Sequence, residues 1–206
     1  MHRLLPSNLA PLPRVFFERP PLEVAPDLLG KLLLRRWRGA WLAGRIVEVE
    51  AYLGREDPAA HAWRGPTPRN RVLFGPAGHA YVYLIYGLHT CLNVSIQPAG
   101  NAGCVLFRAL EPLAAGAAAS PLRAMSGPGR LTRTLHIGRA LNGCDLTRPG
   151  RLCLAADDWP CGLPARARRA GPEIRVSRRI GITRARALPA RFFLPASPAV
   201  SGPRPL

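Results

Sequence analysis

The chain of 206 residues is 48% hydrophobic and 20% charged, with 20 glycines and 23 prolines, which excludes a disordered polymer and predicts one loop-rich domain with a full core. Its 29 basic and 12 acidic residues give a formal net charge of +17, an excess that predicts a polyanionic partner, nucleic acid before any other. A coding bias accounts for Lys31 being the only lysine among so many arginines, but not for the scarcity of acids.

In chain order, residues 1–20 are punctuated by proline and read as an N-terminal arm packed on the surface. Leu22 to Leu33 reads as a short helix feeding a strand, Leu32 to Trp37. Arg38-Gly39 is a turn, and a strand over 41–52 completes a hairpin. Within 45–52 the alternation places Val47, Val49 and Ala51 toward a core, and Ile46, Glu48, Glu50 and Tyr52 on the opposite face. Leu53 to Gly78 is rich in Gly and Pro and reads as a long loop carrying His61 and the basic cluster Arg69-Asn70-Arg71; loops of that length are commonly functional. A strand over 80–86 and another from Cys91 to Gln97 form a hairpin whose tip presents Tyr86, Leu88 and His89, an odd place for apolar and aromatic groups unless the tip inserts into something. Cys104 to Arg108 is the next strand, with Leu106 and Arg108 on one face.

After Glu111-Pro112 an Ala-rich helix is expected to about Met125, then a glycine-rich loop, Ser126 to Arg130, before a helix from Leu131 to Leu141. Such a loop can hold a phosphate on its backbone N–H groups, and is as readily an ordinary helix start. Residues 142–178 give no clear signal, and 196–206 read as a C-terminal tail. Five cysteines without a CxxC pair, and an N-terminus lacking the apolar core of a secretory leader, predict a reducing, cytoplasmic setting. No run approaches the ~18 apolar residues of a membrane span.

All four tyrosines lie between residues 52 and 86, beside the carboxylates of the 41–52 strand. Aromatic faces, an acid and a basic surface are what an enzyme needs to take a nucleobase out of a duplex and act on it. Extrusion costs a few kcal/mol, and each aromatic partner of the freed base returns about 1–3 kcal/mol. Glu50 is the candidate general base, with Glu48 its rival on the same face, and Arg108 could hold Glu50 ionised and position a water. Tyr81 and Tyr83 share a face, so either could be an ordinary sheet aromatic. With one lysine, no Schiff-base chemistry is expected.

Ile46 to Gly54, Glu56 to His61, Thr67 to Arg71, Tyr81 to Gly87 and Val105 to Pro112 resemble the alkyladenine (methylpurine) DNA glycosylases, with a weaker echo in Arg179 to Ile182 and Arg191 to Phe193. The likeness covers roughly residues 15–140 well. It implies an α+β fold, a single mixed domain with a curved antiparallel sheet flanked by helices and a protruding hairpin. It also implies hydrolysis of the N-glycosidic bond of alkylated or deaminated purines in duplex DNA, by a monomer without metal or cofactor. By position it implies Glu50 as general base with Arg108 near the water. Tyr52, His61, Tyr83 and Asn93 would form the base pocket, with Leu106 lining it, and Tyr86 would enter the vacated stack with Leu88 and His89 beside it. Arg69, Arg71 and Arg130 are the expected phosphate contacts. A non-catalytic damage sensor would keep the aromatics and basic surface without needing Glu50 or Arg108. An RNA-binding protein would carry a glycine-aromatic signature that the central strands lack.

Overall fold

The computed structural model describes residues 10–85, 87–113, 123–156 and 173–203. A curled antiparallel sheet dominates, with few and short helices. Eight strands lie among the described residues: β1 (Leu32–Trp37), β2 (Ala40–Tyr52), β3 (Ala80–Ile85), β4 (His89–Ile96), β5 (Gly103–Leu113), β6 (Leu152–Ala155), β7 (Arg175–Ser177) and β8 (Arg191–Phe193). The order is β3-β4-β5-β2-β1-β6, with β8 joining the far end of β2 and β7 pairing with β8. The helices are α1 (Arg14–Phe17), α2 (Pro21–Leu28) and α3 (Pro128–Thr134). No helix among the described residues is long and apolar enough to cross a membrane.

The β1–β2 turn is as the sequence predicts. Arg38 and Gly39 both have positive φ, 48° and 80°, which matches the twist of the flanking strands. The alternation expected along β2 is broken by a bulge. Ile46 opposes Leu110, Glu48 opposes Ala109 and Val49 opposes Phe107, so Val47 is extra on β2 and Arg108 is extra on β5. Ile46 therefore joins Val49 and Ala51 in the main core, while Val47 packs on the other side with Ala109 and Ala199. Beyond the bulge Glu50 opposes Leu106, which opposes Asn93, and Tyr52 opposes Cys104, so these residues share a face.

That face and its reverse do different jobs. On the reverse, Val49, Ala51, Val82, Leu92, Val94, Val105 and Phe107 pack under α2 and α3 with Val24, Leu28 and Leu131. Residues 10–20 are not merely a surface arm: Leu12 and Phe17 are buried in this core.

Other expectations shift. The helix predicted from Leu131 to Leu141 starts at Pro128 and ends at Thr134, followed by a separate 3-10 turn at Arg139–Leu141. Proline suits that first helical position. β5 runs on through Glu111 and Pro112 to Leu113, and Arg123 to Met125 form a turn; the rest of the predicted Ala-rich helix lies outside the described residues. The 142–178 stretch supplies β6 and β7, and β8 follows; β6 pairs with β1 and β8 with β2, both far away in sequence, while β7 pairs with β8.

Candidate active site

The exposed face of the sheet opens into a cavity of about 490 Å³, within the range of small-molecule sites. Tyr52 from β2, Tyr81 and Tyr83 from β3, Cys91 and Asn93 from β4, and Cys104, Leu106 and Arg108 from β5 line it. The 53–78 loop, held by 3-10 turns at Gly54–Glu56 and Arg71–Phe74, adds His61 and Arg69. The structure thus brings Tyr52, His61, Tyr83, Asn93, Leu106 and Arg108 around one space.

The aromatic side is a connected cluster. His61 stands edge-on to Tyr83 at 4.5 Å between ring centroids, and Tyr81 lies 5.1 Å from Tyr83. The Tyr81 hydroxyl and His61 Nδ1 share a 2.9 Å hydrogen bond. Partial desolvation within the aromatic cluster, with Arg69 nearby, pushes the pKa of the still exposed His61 down to about 4, so the ring is neutral at neutral pH. Tyr81 is both core and pocket wall: it is buried in the small cluster with Ala62, Leu73 and Cys104, yet lines the cavity. Asn93 Nδ2 donates to the Tyr81 carbonyl at 3.3 Å, and the Cys104 thiol reaches Asn93 Oδ1 at 3.7 Å, which fixes the amide. The Arg69 guanidinium lies 5.0 Å over the Tyr83 ring.

Two glutamates lie behind the Tyr52–Arg108 side, both fully buried. Glu50 Oε2 accepts from the Tyr52 hydroxyl at 3.0 Å, and Oε1 accepts from the Ile180 N–H at 2.7 Å. Arg108 Nη1 is 3.2 Å from the same Oε1. Glu48 is bound more completely to the scaffold: Oε1 accepts from Arg108 Nε at 2.9 Å and Arg191 Nε at 2.8 Å, and Oε2 accepts from the Ser201 N–H at 2.6 Å. Burial pushes the Glu50 carboxyl above its ordinary range; Arg108, the Ile180 N–H and the Tyr52 hydroxyl pull it back only in part. Of the two acids, Glu50 is the one bonded directly to cavity-lining groups on three sides, Tyr52, Ile180 and Arg108.

The roof of the cavity comes from Ile180 to Arg184, of which the sequence flagged only the part up to Ile182, as an echo. Arg179 anchors it. This arginine pairs with Asp57 through both terminal nitrogens, Nη2 to Oδ1 at 3.0 Å, donates to the Ala51 carbonyl, and lies 4.6 Å over the Tyr52 ring. Asp57 and Arg179 are both almost fully buried. Arg184 reaches from the roof to Trp63, its guanidinium 4.9 Å from the ring. No local pattern links these partners, which are 122 residues apart in sequence for Asp57 and Arg179.

Of the remaining expected residues, Arg71, Leu88, His89 and Arg130 do not line the cavity. Ile85 pairs with His89, and Gly87, at φ 70°, turns the hairpin. Leu88 is 82% exposed at its tip and His89 is exposed beside it; Tyr86 lies outside the described residues. Arg71 and Arg130 are exposed. The glycine-rich loop spends donors on the protein: the Gly127 N–H bonds the Arg108 carbonyl at 2.9 Å, and Pro128 has no N–H.

The family model described as "Methylpurine-DNA glycosylase (MPG)" matches residues 15–198, extending well past the well-matched 15–140 of the motifs. A protein of Koribacter versatilis (strain Ellin345), named "Putative 3-methyladenine DNA glycosylase", is 50% identical over 208 residues, with 96% of each chain covered. Proteins carrying the same name in Methanoculleus marisnigri and Frankia casuarinae are 51% and 46% identical, with 92% of this chain and 98% and 92% of theirs covered.

Proposed function

The chain belongs to the methylpurine-DNA glycosylase family, a family of hydrolases acting on alkylated bases in DNA, and from that premise we propose that it is a monofunctional enzyme that extrudes a damaged purine into the cavity and hydrolyses its N-glycosidic bond with Glu50 as general base. The observation that carries the proposal is the meeting, around one cavity, of an aromatic cluster and a buried Glu50–Arg108 pair. The extruded base stacks among Tyr52, His61 and Tyr83, with Asn93 reading its edge. Glu50 has no solvent-accessible surface and sits just behind the cavity lining, so the reaction requires a water to be admitted to it between Tyr52 and Arg108. Its carboxylate takes a proton from that water as the oxygen bonds the sugar carbon; the C–N bond breaks and its electron pair leaves with the base. An alkylated ring nitrogen carries a positive charge, so that base departs neutral without an added proton. A neutral His61 stacks on such a cation without repelling it. Deaminated purines enter the same cavity but lack this activation.

The enzyme acts as a monomeric single domain on duplex DNA in the cytoplasm or nucleoid. Leu88, with His89 and Tyr86, fills the vacated stack, and Arg69, Arg71 and Arg130 contact phosphates. Lys31, the only lysine, lies between α2 and β1 and does not line the cavity, which supports hydrolysis without strand cleavage. Incubation with methylated duplex DNA tests this: free methylpurine is released, and strands break only after alkali. Covalent trapping by borohydride would contradict the monofunctional reading. A damage sensor that only binds would release no base.

A further inference from the structure

We propose that Glu48 and Arg191 are positioning residues for the reaction: together they fix the plane of the Arg108 guanidinium so that one of its nitrogens faces Glu50. The inference rests on the reading of Glu50 as general base.

The bulge explains why Arg108 needs such help. It is the extra residue on β5, without a direct partner on β2, so strand pairing alone does not set its side chain. Its orientation comes from three contacts: Nε to Glu48 at 2.9 Å, Nη1 to Glu50 at 3.2 Å and Nη2 to the Ser201 hydroxyl at 3.4 Å. A planar guanidinium held at Nε by one carboxylate can present its outer nitrogen to a second in only one way. Glu48 is held in turn by Arg191 Nε and the Ser201 N–H. Arg191 is fully tied down: Nη1 donates to the Ser177 hydroxyl at 3.1 Å and the Pro203 carbonyl at 3.0 Å, and Nη2 to the Ser201 carbonyl at 2.8 Å. The C-terminal residues thus hold Arg191, which holds Glu48, which holds Arg108. Glu48, Arg191 and Ser201 do not line the cavity, so they act through Arg108 and do not touch a bound base.

The cluster holds two buried carboxylates and two buried guanidiniums, and loss of one charge is felt by the others. The groups facing Glu50 are Arg108 from β5, Glu48 and Tyr52 from β2, Cys91 from β4, and the Ile180 N–H with Arg179 from the roof; Arg191 from β8 stands behind Glu48. Glu48→Gln deletes a negative charge and leaves Arg108 to Glu50 alone, which favours the Glu50 carboxylate. The acid limb of the pH–rate profile then moves to lower pH. Arg191→Gln deletes a positive charge and leaves Arg108 as the one cation paired with Glu48, beside the Ser201 N–H, which moves the limb to higher pH. Arg191→Lys keeps the charge but not the fork, so its midpoint returns toward wild type while its plateau stays low.

The experiment measures single-turnover cleavage of a methylated duplex between about pH 4 and 9 for wild type, these three variants and Glu50→Gln. The expected result is opposite midpoint shifts, with plateau rates lowered about 10- to 100-fold by loss of alignment and lesion binding little changed. Unfolding in acid would move a limb only to higher pH, so the shift of Glu48→Gln to lower pH cannot come from it, and circular dichroism over the same pH range separates unfolding from a true midpoint shift in Arg191→Gln. Midpoints of Glu48→Gln and Arg191→Gln that coincide with wild type would overturn the inference. Cleavage retained by Glu50→Gln would instead overturn the base assignment on which it rests, so the two failures are separable.

Discussion

At the scale of single residues, charge and burial decide what each acid does. Asp57 is buried, and its carboxyl is held below the ordinary range because the Arg179 bonds outweigh the cost of burial. A depressed folded-state pKa contributes stability that is present above the unfolded value and lost as pH falls through the folded one. Asp57→Asn should therefore cost about 3 kcal/mol near neutral pH by stranding the Arg179 guanidinium, and the difference from wild type should shrink in acid. Urea unfolding at neutral and acid pH measures both. Glu50 shifts the other way, upward, because burial dominates its surroundings. With Glu50 as the proposed base, the acid limb of activity is expected to follow Glu50 and not His61, whose pKa is pushed down to about 4. His61→Phe is expected to leave that limb in place, whereas His61→Ala should weaken lesion binding by about 1–3 kcal/mol through reduced stacking. A limb displaced in His61→Phe would assign it to the imidazole. Tyr52, Tyr81, Tyr83 and Glu50 could be placed from the sequence because they lie on strands β2 and β3. Asp57–Arg179 and Glu48–Arg191 could not, because each pair joins residues more than a hundred positions apart.

At the scale of elements, the strands with strong alternation and a clear turn between them were readable in order, as β1–β2 and β3–β4 show. The bulge was not. It depends on the register of β5 against β2, and it reverses the expected sides of Ile46 and Val47. β6, β7 and β8 have three or four residues each, too few for a periodic signal; β6 and β8 are received by the distant β1 and β2, and β7 by β8. The β3–β4 hairpin carries its own prediction. Leu88 is exposed at the tip and contributes little to the core, so Leu88→Ala should leave thermal stability unchanged. It should lower affinity for lesion-containing duplex while sparing binding to the same lesion in single-stranded DNA, where no stack needs filling. Equal losses on both substrates would remove the wedge role.

At the scale of the whole molecule, the excess of arginine makes phosphate contact the largest sequence-independent contribution to binding. Affinity for undamaged duplex should fall steeply with salt. Replacing Arg69, Arg71 or Arg130 by Gln should reduce the slope of log K against log salt by about 1 for each phosphate that is no longer neutralised. An unchanged slope would move the phosphate track elsewhere on the surface. The C-terminal residues belong to the same design. By bonding Glu48 and Arg191, Ser201 and Pro203 tie the end of the described chain to the centre of the sheet, directly behind the reacting groups.

The most direct test is single-turnover cleavage of a duplex carrying alkylated adenine or hypoxanthine, wild type beside Glu50→Gln, with abasic sites revealed by alkali. Wild type should cleave, visibly only after alkali, whereas Glu50→Gln should not cleave but should still bind the lesion. Comparable cleavage by both proteins would contradict this, because the carboxylate bonded to the cavity-lining Tyr52, Ile180 and Arg108 would then not be the base.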